Sequence, residues 1–209
     1  MNRERISISI KSDLLKKIDS IVDGVTIRNR SHAIEALTSQ SLGINNISDA
    51  IVMAGGETAA ESISAIKKSI VGLKSLGIHE IIVALGYLGD KIKKNLGDGK
   101  ELGVEISYLE GSEGSGGALY LLKNALKKSF VVVNVDDDQE IDYQALVDYH
   151  KKSHKIATVA TNDIKTMRGV YILEPAVLSY LESGFSMLEE DIFPKLLKDN
   201  KVSVYPILN

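Results

Sequence analysis

Beyond residue 49 the chain switches repeatedly between two hydropathic periods, and this alternation limits its fold more than any other feature. Short runs rich in Val, Ile and Ala at 49–54, 80–86, 104–109, 130–134, 156–160, 169–173 and 202–205 read as strands. Between them, segments at 59–76, up to about 96, 116–127, 143–153, 175–181 and 187–198 repeat apolar side chains at helical spacing. Strands that are apolar throughout, separated by helices, predict an α/β body with a mainly parallel sheet covered on both faces. Ligands of such sheets sit beyond the carboxyl ends of the strands. Here those ends are Ala54-Gly55-Gly56, Gly86-Tyr87, residues 110–117 and residues 136–138.

The first 43 residues follow another pattern. Arg5-Ile6-Ser7-Ile8-Ser9-Ile10 alternates strictly, which predicts a strand with three isoleucines on one face. No other strand follows before residue 49, so its backbone groups need a partner, the simplest being the same strand of a second copy. Ser12 is placed to cap a helix carrying Leu14, Leu15, Ile18, Ile21 and Val22; after Gly24, Asn29 is placed to cap a second with Ala33, Ile34 and Leu37. Arg28 and Arg30 flank that second start, where backbone N–H groups and guanidinium groups together suit a phosphate. Residues 1–43 hold 7 of the chain's 25 basic and 5 of its 28 acidic residues, so a weakly basic end precedes an acidic body.

The segments RISISIKSDLLKKID and RNRSHAIEALTSQSL, within residues 4–42, resemble the ribbon-helix-helix repressors. That resemblance implies a dimer that binds double-stranded DNA, with Arg5, Ser7 and Ser9 reading base edges and the segment of Asn29 and Ser31 on the backbone. The polar, glycine-led stretch at 44–48 then reads as a linker between a domain of 1–43 and a body of 49–209.

Wider properties exclude several classes. Without cysteine the chain has neither a disulfide framework nor a thiolate metal site. No apolar run reaches membrane-spanning length and the start lacks a secretory pattern, so a cytoplasmic protein with no membrane partner is expected. Of the four histidines, His32 and His79 stand apart, and His150 and His154 read as a solvated helix face among Lys151, Lys152 and Lys155. Tyr87 and Tyr120 read as core packing near the sheet ends.

A second resemblance covers the body. The runs VMAGG, LKSLGIHEIIVALGYLGDKIKKNLGDGKELGVEISYLEGSEGSGGAL, FVVVNVDDDQEIDYQALVDYH and GVYILEPAVLSYLESGFSMLEEDIFPKLLKD resemble the sugar-phosphate nucleotidyltransferases. Those enzymes join a nucleoside triphosphate to a sugar 1-phosphate on a Rossmann-like fold. The resemblance implies that Gly55 and Gly56 hold the nucleotide, that Gly114, Ser115, Gly116 and Gly117 lie against the base, and that Asp136 binds magnesium.

Several of the family's features are missing. Its arginine loop reads Gly55-Gly56-Glu57-Thr58-Ala59-Ala60-Glu61 here, its lysine segment is absent, and Val135 replaces the glycine before the metal aspartate. Only residues 161–168 stand where the family has a longer excursion, and the later segment supplying a second metal carboxylate is not reached. Two carboxylates beside a triphosphate repel it.

The expectation from sequence is therefore a DNA-binding transcriptional regulator. Its nucleotidyltransferase-like body has lost catalysis and serves for oligomerisation or for binding a nucleotide, sugar-phosphate or sugar-nucleotide effector, with or without magnesium. The alternatives are an active sugar-phosphate nucleotidyltransferase with an atypical site and a non-catalytic partner subunit.

Overall fold

The computed structural model describes residues 6–22, 24, 27–41, 47–54, 59–135 and 141–207. The chain divides into two compact units, Met1–Ile44 and Asn45–Asn209.

In the first unit, α1 (Ser12–Ser20) and α2 (Arg30–Ser41) enclose a small core. Ile18, Ile27 and Ala33 are buried there, with Ile10, Ile21, Val22, Ile34, Ala36 and Leu37 packed against them. Asn29 caps α2 as expected, its side-chain oxygen accepting from the N–H of His32 at 3.0 Å. Ser12 does not cap α1; it is the first helical residue, and Lys11 before it makes no side-chain cap bond. Residues 6–10 form no strand pairing within the single chain. Ile6 and Ile8 remain 76% and 55% exposed, because a ladder needs a second strand and the described part of this unit holds none.

The second unit is built on a seven-stranded sheet. Its strands are β1 (Ile47–Ala54), β2 (Glu80–Leu85), β3 (Glu105–Leu109), β4 (Ser129–Asn134), β5 (Ala157–Thr161), β6 (Val170–Leu173) and β7 (Val202–Pro206). The order across the sheet is β3-β2-β1-β4-β6-β5-β7, with β6 antiparallel to both neighbours and every other pairing parallel. The expected mainly parallel α/β sheet is thus present.

Alternate residues of the central strands β4 and β6 feed opposite cores, which is why their sequences are so apolar. Ala50, Val52 and Ala54 of β1 pack with Ile66, Ile70 and Leu73 of α3 (Ala59–Ser75). Ile51 faces the other way, into a cluster with Leu119, Phe130, Val132, Tyr171 and Phe193. The first face also takes Ile92 and Leu96 of α4 (Gly89–Leu96) and Leu146 and Val147 of α6 (Tyr143–Ser153). The second is closed by α5 (Gly114–Leu122) and α7 (Phe193–Lys198). Two helices expected from sequence differ in type: Pro175–Tyr180 is a 3-10 turn, and Leu188–Ile192 is a π-helical turn leading into α7.

The topology places the cleft. From β1 the chain winds outward through β2 and β3, then returns to lay β4 on the other side of β1. Two parallel neighbours whose connections leave in opposite directions open a crevice at their carboxyl ends. Here those ends are Ala54 and Asn134, and the N–H of Val135 donates to the carbonyl of Met53 at 3.4 Å.

Candidate functional site

On the cleft side of the sheet, the best-defined polar cluster lies at the start of α5. The chain leaves β3, passes Glu110–Glu113 and enters the helix through Gly114, whose φ of +78° lies in the left-handed region that favours glycine. Residues 184–188 lie directly on this helix start. The N–H groups of Gly116 and Gly117 donate to the carbonyl of Ser186 at 2.9 and 3.4 Å, and the N–H of Ser186 donates to the carbonyl of Glu113 at 3.2 Å. A Cβ on Gly114 would stand 2.3 Å from the Ser186 carbonyl oxygen, and one on Gly116 2.2 Å from its hydroxyl. The glycines of this run therefore permit backbone to approach backbone, and two of their amide donors are engaged by the chain itself.

The same contact gathers three side chains. Ser115 Oγ accepts from the N–H of Leu188 at 2.9 Å and donates to Glu189 Oε2 at 3.1 Å. The Tyr171 hydroxyl donates to Glu189 Oε1 at 2.6 Å. Asn134, the last residue of β4, is a further side-chain partner of Tyr171. The π-helical turn carries Glu189 into this position, and Asp191 supports the turn by accepting from the N–H of Met187 at 2.8 Å. Single π turns are frequent at functional sites because the wider turn re-aims a side chain. Burial and the Glu189 carboxylate both push the Tyr171 phenol far above the usual tyrosine range, so it remains a neutral donor. Both oxygens of Glu189 are thus held by hydroxyls rather than by a cation.

Of the ligand residues expected from sequence, Gly114, Ser115, Gly116 and Gly117 come together at this helix start. Gly55, Gly56 and Asp136 lie outside the described residues. Among the described residues no three His, Asp or Glu side chains gather to hold a metal ion. Sequence reasoning missed Glu189, Tyr171 and Asn134. Glu189 stands in a run with Glu190 and Asp191, and only the tertiary contact separates the first from the other two.

In the first unit, Arg5 lies outside the described residues, and Ser7, Ser9, Arg28, Asn29, Arg30 and Ser31 are exposed. Arg30 is not a free phosphate clamp. Its guanidinium makes two 2.7 Å hydrogen bonds to the Asp19 carboxylate, which holds Asp19 below the usual carboxylate range.

Two further expectations are corrected. His150 is buried rather than solvated: Nδ1 bonds Thr158 Oγ1 at 2.7 Å and Nε2 bonds Glu174 Oε1 at 3.0 Å. Ser129 donates to the same Glu174 oxygen at 2.8 Å, so this network joins α6, β4, β5 and the end of β6 at the end of the sheet away from the cleft. Tyr87 is fully exposed at the end of β2 instead of packed. Tyr120 does pack against the second core, with the Lys123 ammonium 3.7 Å from its ring centre.

A sheet with this strand order, a cleft between β1 and β4 and a glycine-led helix beside it define an α/β nucleotidyltransferase-like protein. A family model described as Nucleotidyl transferase matches residues 58–168, more than half of the chain, and the chain belongs to that family. It is similar to the Probable mannose-1-phosphate guanylyltransferase 1 of Oryza sativa subsp. japonica, 24% identical over 169 residues that cover 63% of this chain and 47% of that protein. The Mannose-1-phosphate guanylyltransferase catalytic subunit beta of Xenopus tropicalis is 23% identical over 170 residues, covering 64% and 47%. The chain spans about half the length of the curated relatives it matches.

Among solved structures, a putative glucose-1-phosphate thymidylyltransferase from Bacillus anthracis, in complex with a sucrose, aligns with a TM-score of 0.62 at 20% identity. That alignment covers 77% of this chain and 87% of that one. HddC from Yersinia pseudotuberculosis, complexed with GMP-PN, aligns with a TM-score of 0.59 at 16% identity, covering 76% and 91%. At these identities the likeness shows the fold.

These matches overturn the reading of the chain as a DNA-binding transcriptional regulator with a catalytically spent body. The curated relatives are named as guanylyltransferases and the Bacillus anthracis structure as a putative thymidylyltransferase, and none of these comparisons supports a ribbon-helix-helix domain. The pairing of Arg30 with Asp19 removes one of the cations on which the DNA reading drew. Among the described residues no helix is long and apolar enough to cross a membrane.

Proposed function

We propose that residues 49–209 form a sugar-phosphate nucleotidyltransferase domain with an atypical phosphate-binding start, joined through 44–48 to a separate assembly module of residues 1–43. The observation that carries this reading is the family match over residues 58–168 on a sheet whose switch point opens between β1 and β4. In the reaction, an oxygen of the sugar 1-phosphate bonds to the α-phosphorus of a nucleoside triphosphate. The bond from that phosphorus to the bridging oxygen breaks, and pyrophosphate leaves with the electron pair. Gly55 and Gly56 are assigned to the nucleotide, and Gly114–Gly117 to the wall beside it.

Magnesium, when bound with the nucleotide, would supply charge neutralisation at the α-phosphate. Asp136 is the residue the family resemblance gives it. In this reading residues 6–10 are the assembly element. Ile6 and Ile8 are exposed on a period-two strip while Ile10 packs on the small core, and a second copy presents the complementary strip.

A pyrophosphate-release assay tests the reaction. The full chain with magnesium, a nucleoside triphosphate and mannose 1-phosphate or glucose 1-phosphate is expected to release pyrophosphate, and Asp136→Ala to abolish the release. One observation favours a second reading, the non-catalytic partner subunit: Glu57 and Glu61 stand where the family has its arginine loop. In that case the sugar phosphate binds and no pyrophosphate appears.

A further inference from the structure

We infer that Tyr171 is a positioning residue, which fixes Glu189 as the acceptor for the hydroxyl groups of the ligand's sugar. This rests on the nucleotidyltransferase reading above. Tyr171 is fully buried in β6, between Phe193, whose ring meets it edge-on at 4.9 Å, and the strands on either side. Its ring therefore cannot swing away, and its hydroxyl has a fixed place 2.6 Å from Glu189 Oε1. Ser115 holds the other oxygen at 3.1 Å, and Ser115 is itself oriented by the N–H of Leu188. The carboxylate plane is thus set from two sides by neutral donors, one on the sheet and one on α5.

The choice of donors decides what the carboxylate can bind. A lysine or arginine partner would neutralise Glu189, whereas the two hydroxyl donors bring no positive charge and, among the described residues, fill one acceptor position on each oxygen. Such a group accepts hydrogen bonds from ligand O–H groups and repels phosphate oxygens. It lies at the α5 helix start and is linked through Tyr171 to Asn134 at the end of β4, on the cleft side of the sheet. The sugar ring, not the phosphates, is the part of the substrate that suits this place. Free to rotate, the same carboxylate would lose that selectivity as well as affinity.

The test uses the full chain and its Tyr171→Phe and Ser115→Ala variants, with mannose 1-phosphate and, separately, a nucleoside triphosphate as calorimetric probes. Tyr171→Phe keeps the ring and removes one oxygen. It is expected to weaken sugar 1-phosphate binding about tenfold, as for loss of one charge-assisted hydrogen bond, and to leave triphosphate binding unchanged. Ser115→Ala, at the wall assigned to the nucleotide, is expected to weaken sugar 1-phosphate binding less than Tyr171→Phe does and is read on that ligand alone, which keeps the inference testable if Tyr171→Phe fails to fold. Equal sugar-phosphate affinity in wild type and variants overturns the positioning role while leaving the nucleotidyltransferase reading intact. Parallel weakening of both ligands in Tyr171→Phe also overturns it, because a merely structural tyrosine loosens the whole cleft. A wild-type chain that binds no sugar 1-phosphate overturns the functional reading itself.

Discussion

A carboxylate takes its meaning from the partner that holds it, and this chain shows three outcomes. Asp19 is paired with Arg30 at an exposed site and is held in its charged form by the guanidinium. Its carboxyl is expected to titrate below the ordinary 3.8 in the folded protein and to return toward it in Arg30→Ala, as read by carbon-13 NMR. Because the folded value is depressed, what the pair contributes to stability is present above pH 3.8 and is lost as the pH falls through the folded value. Glu174 is shared by Ser129 and His150 and stitches three strands together. Glu189 is held by Tyr171 and Ser115 beside the start of α5. None of these roles was legible in sequence. Asp19 and Arg30 lie 11 residues apart and Ser115 and Glu189 74 apart, and no local pattern encodes contacts across such separations.

Elements were far more legible, because their signals are local. All seven strands of the body appear where short β-branched runs stand, since a strand covered on both faces must be apolar throughout. The exceptions have identifiable causes. A strand at 5–10 needs a ladder, and the described residues of its unit form none. The expected helix at 175–181 is a 3-10 turn, and the helix expected over 187–198 opens instead with a π turn that aims Glu189 inward. Helix contact also explains Gly72 in the middle of α3. A Cβ there would stand 2.2 Å from Cε2 of Tyr143 at the start of α6. Gly72→Ala is therefore expected to destabilise the second unit by about 1–3 kcal/mol, the cost of overpacking, despite the roughly 1 kcal/mol that alanine gains in a helix. Urea unfolding of wild type and variant measures the difference.

At the scale of the whole molecule the chain joins two compact units of different character. The larger belongs to the nucleotidyl transferase family, and its fold was readable from strand and helix order before any coordinates. The DNA-binding function drawn from the smaller unit did not survive, because alternation and a capped basic helix describe an assembly arm as well as a groove reader. If residues 1–43 assemble the protein, their deletion is expected to lower its oligomeric mass in light scattering while the circular dichroism of the α/β body is retained. Phosphorus-31 NMR follows the proposed nucleotidyl transfer itself. The full chain is mixed with magnesium, a nucleoside triphosphate and mannose 1-phosphate or glucose 1-phosphate. Growth of a sugar diphosphonucleotide signal together with pyrophosphate is the expected result. An unchanged spectrum with every triphosphate and sugar 1-phosphate tried, from protein whose fold is intact, would contradict it.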